Sequence, residues 1–121
     1  PPELLTGRLF ILTGKYNPSA PKDISPPVMW GEVEVIKKRL GRSVRDITFH
    51  RAEYGNPALS PAHMRVALEA YIGPIGATIK LLEPNPEKLT EFRNAIEDLL
   101  FEYFQNNTVV QSYLMTRAIK N

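Results

Sequence analysis

The segment TVVQSYLMTRAIK at residues 108–120 constrains the fold most strongly, because it is rich in β-branched and aromatic residues and predicts a strand. Side chains of a strand alternate between its two faces. One face carries Val110, Leu114 and Ala118 with Ser112 and Thr116, and the other carries Val109, Tyr113 and Met115. Apolar residues on both faces predict a strand that is covered on both sides and lies in the interior of a sheet.

A second strand is predicted at residues 44–54, VRDITFHRAEY, with Ile47 and Phe49 on a buried face and His50 on the opposite one. Two strands do not form a stable sheet unaided. We therefore expect the strand at 108–120 to need a neighbour from further polypeptide or from a second subunit.

Prolines delimit the later helices. Ser60-Pro61 and Asn85-Pro86 each place a capping side chain before a proline at the first helical position. Gly73-Pro74 is expected to break or kink the chain after the first of these helices. The predicted helices run from Ser60-Pro61 to Ile72, over residues 75–82, and from Pro86 to about Gln105, followed by a turn at Asn106-Asn107.

The earlier part of the chain predicts a helix over residues 3–15, a proline-rich loop over 16–27, and a helix from Trp30-Gly31 to Leu40. The whole chain of 121 residues is long enough for one small domain. We predict an α+β fold with two strands and four or five helices. Its segments are 1–29 (helix and loop), 30–55 (helix and strand), 58–105 (helical) and 108–120 (strand).

Composition excludes several classes of site. The chain has no cysteine, which rules out disulfides, thiolate zinc sites and cysteine nucleophiles and fits a reducing cytoplasm. The two histidines, His50 and His63, stand in no metal-ligand spacing. No apolar run approaches the roughly 20 residues of a membrane span, and no signal peptide is recognised. A net charge of +2 without a concentrated basic face argues against a nucleic-acid partner.

A series of spaced landmarks resembles part of a known enzyme family. They are F-x-x-x-G-K-Y-x-P at Phe10–Pro18, S-P-P-x-x-W-G-E at Ser25–Glu32, R-L-G at Arg39–Gly41, the strand at 44–54, S-P-x-H at Ser60–His63 and Y-I-G-P at Tyr71–Pro74. Their order is similar to the substrate-side, C-terminal region of class I S-adenosylmethionine-dependent methyltransferases of the ubiquinone and menaquinone biosynthesis type. The resemblance covers essentially the whole chain.

The resemblance implies that the strands at 44–54 and 108–120 form the terminal antiparallel pair of the family's sheet, with residues 58–105 inserted between them as a cap over the acceptor. The family's glycine-rich loop and ribose-binding acidic residue have no counterpart here. Gly73-Pro-Ile-Gly76 follows a predicted helix, whereas a cofactor loop of this type follows a strand. We therefore expect no cofactor in this chain, and S-adenosylmethionine only if a cofactor-binding half is supplied.

Five side chains are predicted to line a substrate pocket in this arrangement, because aromatic and flexible apolar side chains suit a planar substrate: Phe10, Tyr16, Trp30, Met64 and Tyr71. The alternative for each is an ordinary place in the core. His50 is the one side chain suited to proton transfer near neutral pH, although a histidine on that strand face is more often simply exposed. No catalytic, cofactor-binding or metal-binding residue is assigned.

Two functions remain open. The first is the substrate-side region of a methyltransferase, which would hold a small-molecule acceptor in line with the sulfonium while another half binds the cofactor. The second is a non-enzymatic module that binds a small ligand or a protein and dimerises to complete its sheet. The expected partners are thus a small molecule and either a cofactor-binding half or a second copy of the chain, with no nucleic acid.

Overall fold

The structure, a computed structural model, describes residues 2–19 and 27–121, so part of the predicted proline-rich loop lies outside the described residues. Within them the fold is α+β, as predicted: five α-helices and a three-stranded antiparallel sheet. The elements are α1 (Leu5–Tyr16), α2 (Val33–Leu40), β1 (Val44–Pro57), α3 (Pro61–Tyr71), α4 (Gly73–Leu82), α5 (Pro86–Phe101), β2 (Phe104–Gln105) and β3 (Thr108–Lys120).

Two of the helix starts follow the expected local chemistry. The Ser60 Oγ accepts a hydrogen bond from the backbone N–H of His63 at 3.1 Å, and the Asn85 Oδ1 accepts one from that of Lys88 at 3.2 Å. Each bond satisfies an N–H that has no partner within its own helix. The break between α3 and α4 falls at Ile72, whose backbone is extended, so α4 begins at Gly73 and includes the Gly-Pro pair.

The end of α5 differs from the prediction, because Asn106 and Asn107 form a tight hairpin. Both have a positive φ (50° and 53°), which two-residue hairpin loops require and asparagine tolerates well. The hairpin pairs Phe104 with Val109 and draws Phe104 and Gln105 into a short strand. The helix therefore ends at Phe101, and the predicted strand pair becomes a sheet of order β1-β3-β2.

β1 is three residues longer than predicted, running through Gly55 to Pro57. A Cβ on Gly55 would lie 2.3 Å from the Cγ2 of Thr108, so the absence of a side chain lets the two strands stay paired there. Near its start, β1 places Asp46 and Ile47 opposite the single residue Ala118, a bulge at which Asp46 has a φ of 52°.

The helix at 33–40 also starts later than predicted, since Pro27–Gly31 forms a separate 3-10 helix before it. The main core lies between α1, α3, α4 and α5 and reaches the sheet through Val109, which is fully buried. Its other buried members are Leu5, Leu9, Ala58, Met64, Ile75, Leu82, Phe92, Ile96, Leu99 and Leu100.

The prediction that β3 is an interior strand covered on both faces holds only for its first residues. β3 is the middle strand, but within residues 2–19 and 27–121 β2 pairs only with Thr108 and Val109. On the face that carries Val109, the helices stop short of Tyr113 and Met115, each 37% exposed. From Gln111 onward, one edge and part of one face of β3 thus have no covering element in the described part of the chain.

Candidate functional site

A cavity of about 570 Å³ lies between α1, α3, the start of α4 and the end of the sheet. Each surrounding element contributes side chains at the spacing of one face. α1 contributes Thr6, Leu9, Phe10 and Thr13; α3 contributes Met64, Ala67, Leu68 and Tyr71; the α4 start contributes Ile72, Pro74 and Ile75; and the sheet contributes Tyr54, Asn56, Pro57 and Gln111. The walls are mostly apolar, as in small-molecule sites.

The two long walls form because α1 and α3 repeat the same spacing. In each helix four lining residues stand at positions i, i+3, i+4 and i+7, which places them along one face. Met64, 8% exposed, joins the wall to the core, whereas Tyr71 at the end of α3 is 85% exposed and stands at the rim. The cavity is therefore anchored in the core and open toward the α3–α4 junction.

The part of the cavity formed by the sheet, which we call its floor, carries a polar pair. Tyr54 and Gln111 are directly opposite each other in the β1–β3 register, and the Tyr54 Oη donates a hydrogen bond to the Gln111 Oε1 at 3.0 Å. The Tyr54 ring also contacts the Tyr113 ring, with centroids 5.9 Å apart. The Tyr54 side chain is 46% exposed, and these contacts from two directions hold its phenol on the sheet side of the cavity.

Three of the five residues predicted to bind substrate lie together in this cavity: Phe10, Met64 and Tyr71. Their placement is observed, and their role toward a ligand stays a prediction. Sequence reasoning did not include Tyr54, Asn56 or Gln111. The strand period could have grouped Tyr54 with Asn56, but only the register with β3 brings Gln111 beside them.

The other two predicted residues lie elsewhere. The Tyr16 ring packs against Phe92 with centroids 4.9 Å apart, and its Oη donates to the Glu91 Oε1 at 2.9 Å. Burial and this bond to a carboxylate raise the pKa of Tyr16 above its usual value of 10.0. Tyr16 thus takes the alternative role of a core-packing residue.

Trp30, about half exposed, lies in a separate depression beside Arg51 and Leu114. The guanidinium carbon of Arg39 stands 4.6 Å from the centre of its ring, a cation–π contact. This contact ties the 3-10 helix at Pro27–Gly31 to α2 and leaves Trp30 outside the cavity.

The histidines have distinct surroundings. His63 accepts a hydrogen bond on Nδ1 from the backbone N–H of Leu59 at 3.1 Å, which helps to fix the start of α3. His50 is exposed on β1, opposite Met115, in a shallow depression that also contains Tyr113 and Arg117. Neither histidine lines the cavity. Among residues 2–19 and 27–121, no group of three or more acidic or histidine side chains could hold a metal ion.

The segment Gly73–Gly76 forms the first turn of α4 and packs against α3. A Cβ on Gly76 would lie 3.0 Å from the backbone oxygen of Glu69, so this glycine serves the close approach of two helices. A glycine-rich cofactor loop instead follows a strand and leaves its backbone open to the ligand. The residues of this segment therefore do not fit a S-adenosylmethionine site.

Comparisons with protein-family models, with curated proteins and with solved structures found no match for this chain. In the part of the chain that the structure describes, no helix has both the length and the apolar character needed to span a membrane.

Proposed function

We propose that this chain is the substrate-side region of a methyltransferase, which shapes the acceptor pocket and depends on a cofactor-binding half from another segment or subunit. The observation that carries the proposal is the cavity. It lies between α1 and the helical segment 58–105, which is expected to cap the acceptor, and Phe10, Met64 and Tyr71 converge on it. The residues of this chain would bind and orient the acceptor and exclude water from it.

The uncovered part of β3 agrees with the same proposal. From Gln111 to Ile119 its second edge has no strand beside it within the described residues, while Tyr113, Met115 and Ile119 present apolar surface on one face. An exposed edge of this length is a template for pairing with another strand. A cofactor-binding half that contributes such a strand would complete the sheet.

Calorimetric titration of the purified chain with S-adenosylmethionine and with S-adenosylhomocysteine tests whether the cofactor is bound by another segment or subunit. We expect no binding heat at millimolar ligand, because the Gly73–Gly76 turn packs against α3 and does not present its backbone to a ligand as a glycine-rich cofactor loop does. Saturable binding at micromolar ligand would contradict the proposal, since the chain would then build a cofactor site of its own.

The acceptor pocket is tested by filling it. Ala67 lines the cavity, whereas Ala70 is exposed on the same helix and does not. We expect the apolar probe naphthalene to bind with a Kd on the order of 100 μM to 1 mM, given about −0.4 to −0.55 kcal/mol for each of its ten non-hydrogen atoms. Ala67→Phe should weaken binding in equilibrium dialysis at least about tenfold by occupying the space.

The matched control, Ala70→Phe, adds the same ring outside the cavity and should leave naphthalene binding unchanged. If both variants lose naphthalene affinity equally, or both keep it, naphthalene binds outside the cavity. The cavity would then no longer support the proposal. Thermal unfolding of both variants establishes that each is folded in the assay.

A second function, a non-enzymatic ligand-binding module that dimerises through its sheet, is favoured by the same open edge of β3. Sedimentation velocity separates the two. A stable dimer of the chain alone, lost when Met115→Lys places a charge on the uncovered face, supports the module. If the chain stays monomeric at every accessible concentration, the result supports the first proposal, in which a different partner completes the sheet.

A further inference from the structure

The polar atoms of the cavity are unevenly distributed. The α3 and α4 walls are apolar except for the Tyr71 phenol, which stands at the rim and is 85% exposed, whereas the sheet presents a phenol and two carboxamides. α1 contributes the hydroxyls of Thr6 and Thr13, and that of Thr13 donates to the Leu9 backbone oxygen at 2.7 Å, so its proton is used within the helix. Hydrogen-bonding capacity for a ligand is therefore concentrated on the sheet.

The Tyr54–Gln111 pair is the organised part of that polar floor. Its internal bond at 3.0 Å uses the tyrosine proton and an oxygen of the carboxamide. The Gln111 carboxamide has two N–H donors besides that oxygen, and the Tyr54 oxygen can still accept. The pair thus offers donors and an acceptor next to apolar walls, which suits a hydroxyl or carbonyl oxygen on an apolar body.

We infer that Tyr54 and Gln111 are specificity-determining residues that select and orient a ligand by one hydroxyl or carbonyl group, with its apolar body held between α1 and α3. The inference rests on the proposed acceptor pocket and adds how that pocket discriminates among apolar molecules. A ligand lacking the oxygen removes water from the carboxamide without replacing its hydrogen bonds, so this partly exposed pair binds such a ligand more weakly.

The experiment compares 1-naphthol with naphthalene, two probes of nearly the same shape that differ by a hydroxyl. Equilibrium dialysis of the whole chain gives the ratio of the two Kd values for the wild type, Gln111→Leu and Tyr54→Phe. The two probes differ in hydrophobicity by the same amount for the wild type and for every variant. A change in the Kd ratio between the wild type and a variant therefore reports the polar contact. Tyr113→Phe is the control, because it keeps the ring that contacts Tyr54 and removes only a hydroxyl outside the cavity.

We expect the wild type to favour 1-naphthol by about tenfold, a preference that Gln111→Leu abolishes and Tyr54→Phe reduces. Naphthalene should bind both variants at least as well as it binds the wild type, because the unreplaced hydrogen bonds are gone, and this binding shows that the variants are folded and keep the cavity. Tyr113→Phe should keep the full preference.

Two results would overturn the inference. These are equal binding of both probes to the wild type and a preference that survives Gln111→Leu, since either would show that the pair does not discriminate between the ligands. The proposed acceptor pocket would still be supported in that case if Ala67→Phe blocks naphthalene binding. If neither probe binds, the cavity is not a ligand-binding pocket, and the proposed function loses its support.

Discussion

Replacing Phe92 with alanine is expected to lower the free energy of unfolding by about 3–5 kcal/mol. The Phe92 side chain is 0% exposed in the main core, where its ring contacts Tyr16 of α1. Truncation removes the buried ring and leaves a cavity that the surrounding helices fill only in part. Since domains of this size are stable by only about 5–15 kcal/mol, this loss is a large fraction of the total free energy of unfolding.

The measurement is urea unfolding followed by circular dichroism, with Phe101→Ala as the matched control. Phe101 lies on the same helix but is 71% exposed, so its truncation should change the free energy of unfolding by no more than about 0.5 kcal/mol. Equal effects at the two positions would contradict the placement of α5 against α1.

Glu69→Ala is expected to be the second large effect, a loss of about 2–4 kcal/mol. The Glu69 carboxylate accepts from Arg65 on its own helix and, at 2.9 and 3.0 Å, from Arg93 of α5. Arg65 also donates to Glu97 at 2.6 Å, so the four side chains join α3 to α5. Removing the central carboxylate leaves two partly buried guanidinium groups with fewer partners.

The matched control is Glu34→Ala, which removes an exposed carboxylate paired with Lys37 three residues further along α2. Exposed pairs contribute about 0–1 kcal/mol, so this variant should unfold close to the wild type. A similar loss in both variants would show that the α3–α5 network stabilises no more than a surface ion pair.

The Glu69 network also sets a pH dependence. Burial opposes ionisation of the carboxyl, but the hydrogen bonds from Arg93 and Arg65 outweigh it and hold the pKa of Glu69 below its ordinary 4.5. A group whose pKa is lowered by folding stabilises the protein fully above the unfolded pKa and loses that contribution as pH falls through the folded one. The stability advantage of the wild type over Glu69→Gln should therefore be constant above about pH 5.5 and shrink toward about pH 3.

The predicted site shows where sequence reasoning reaches its limit. Spacing along one helix places Phe10 on the same face as Leu9 and Thr13, and Met64 on the same face as Tyr71, but it does not say which neighbour covers that face. Tyr16 was predicted for the pocket on the same grounds as Phe10 and instead packs on Phe92. Tyr54 and Gln111, 57 positions apart, become neighbours only through strand pairing.

What the sequence by itself determined were the features whose cause is local. The caps at Ser60 and Asn85 act within one helical turn, and the Asn106-Asn107 turn needs only residues that tolerate a positive φ. Only the tertiary structure decided the short strand β2, the length of β1, and the cavity with its polar floor. These depend on the register of β1 and β3 and on the packing of α1 against α3–α5, contacts between residues far apart in the chain.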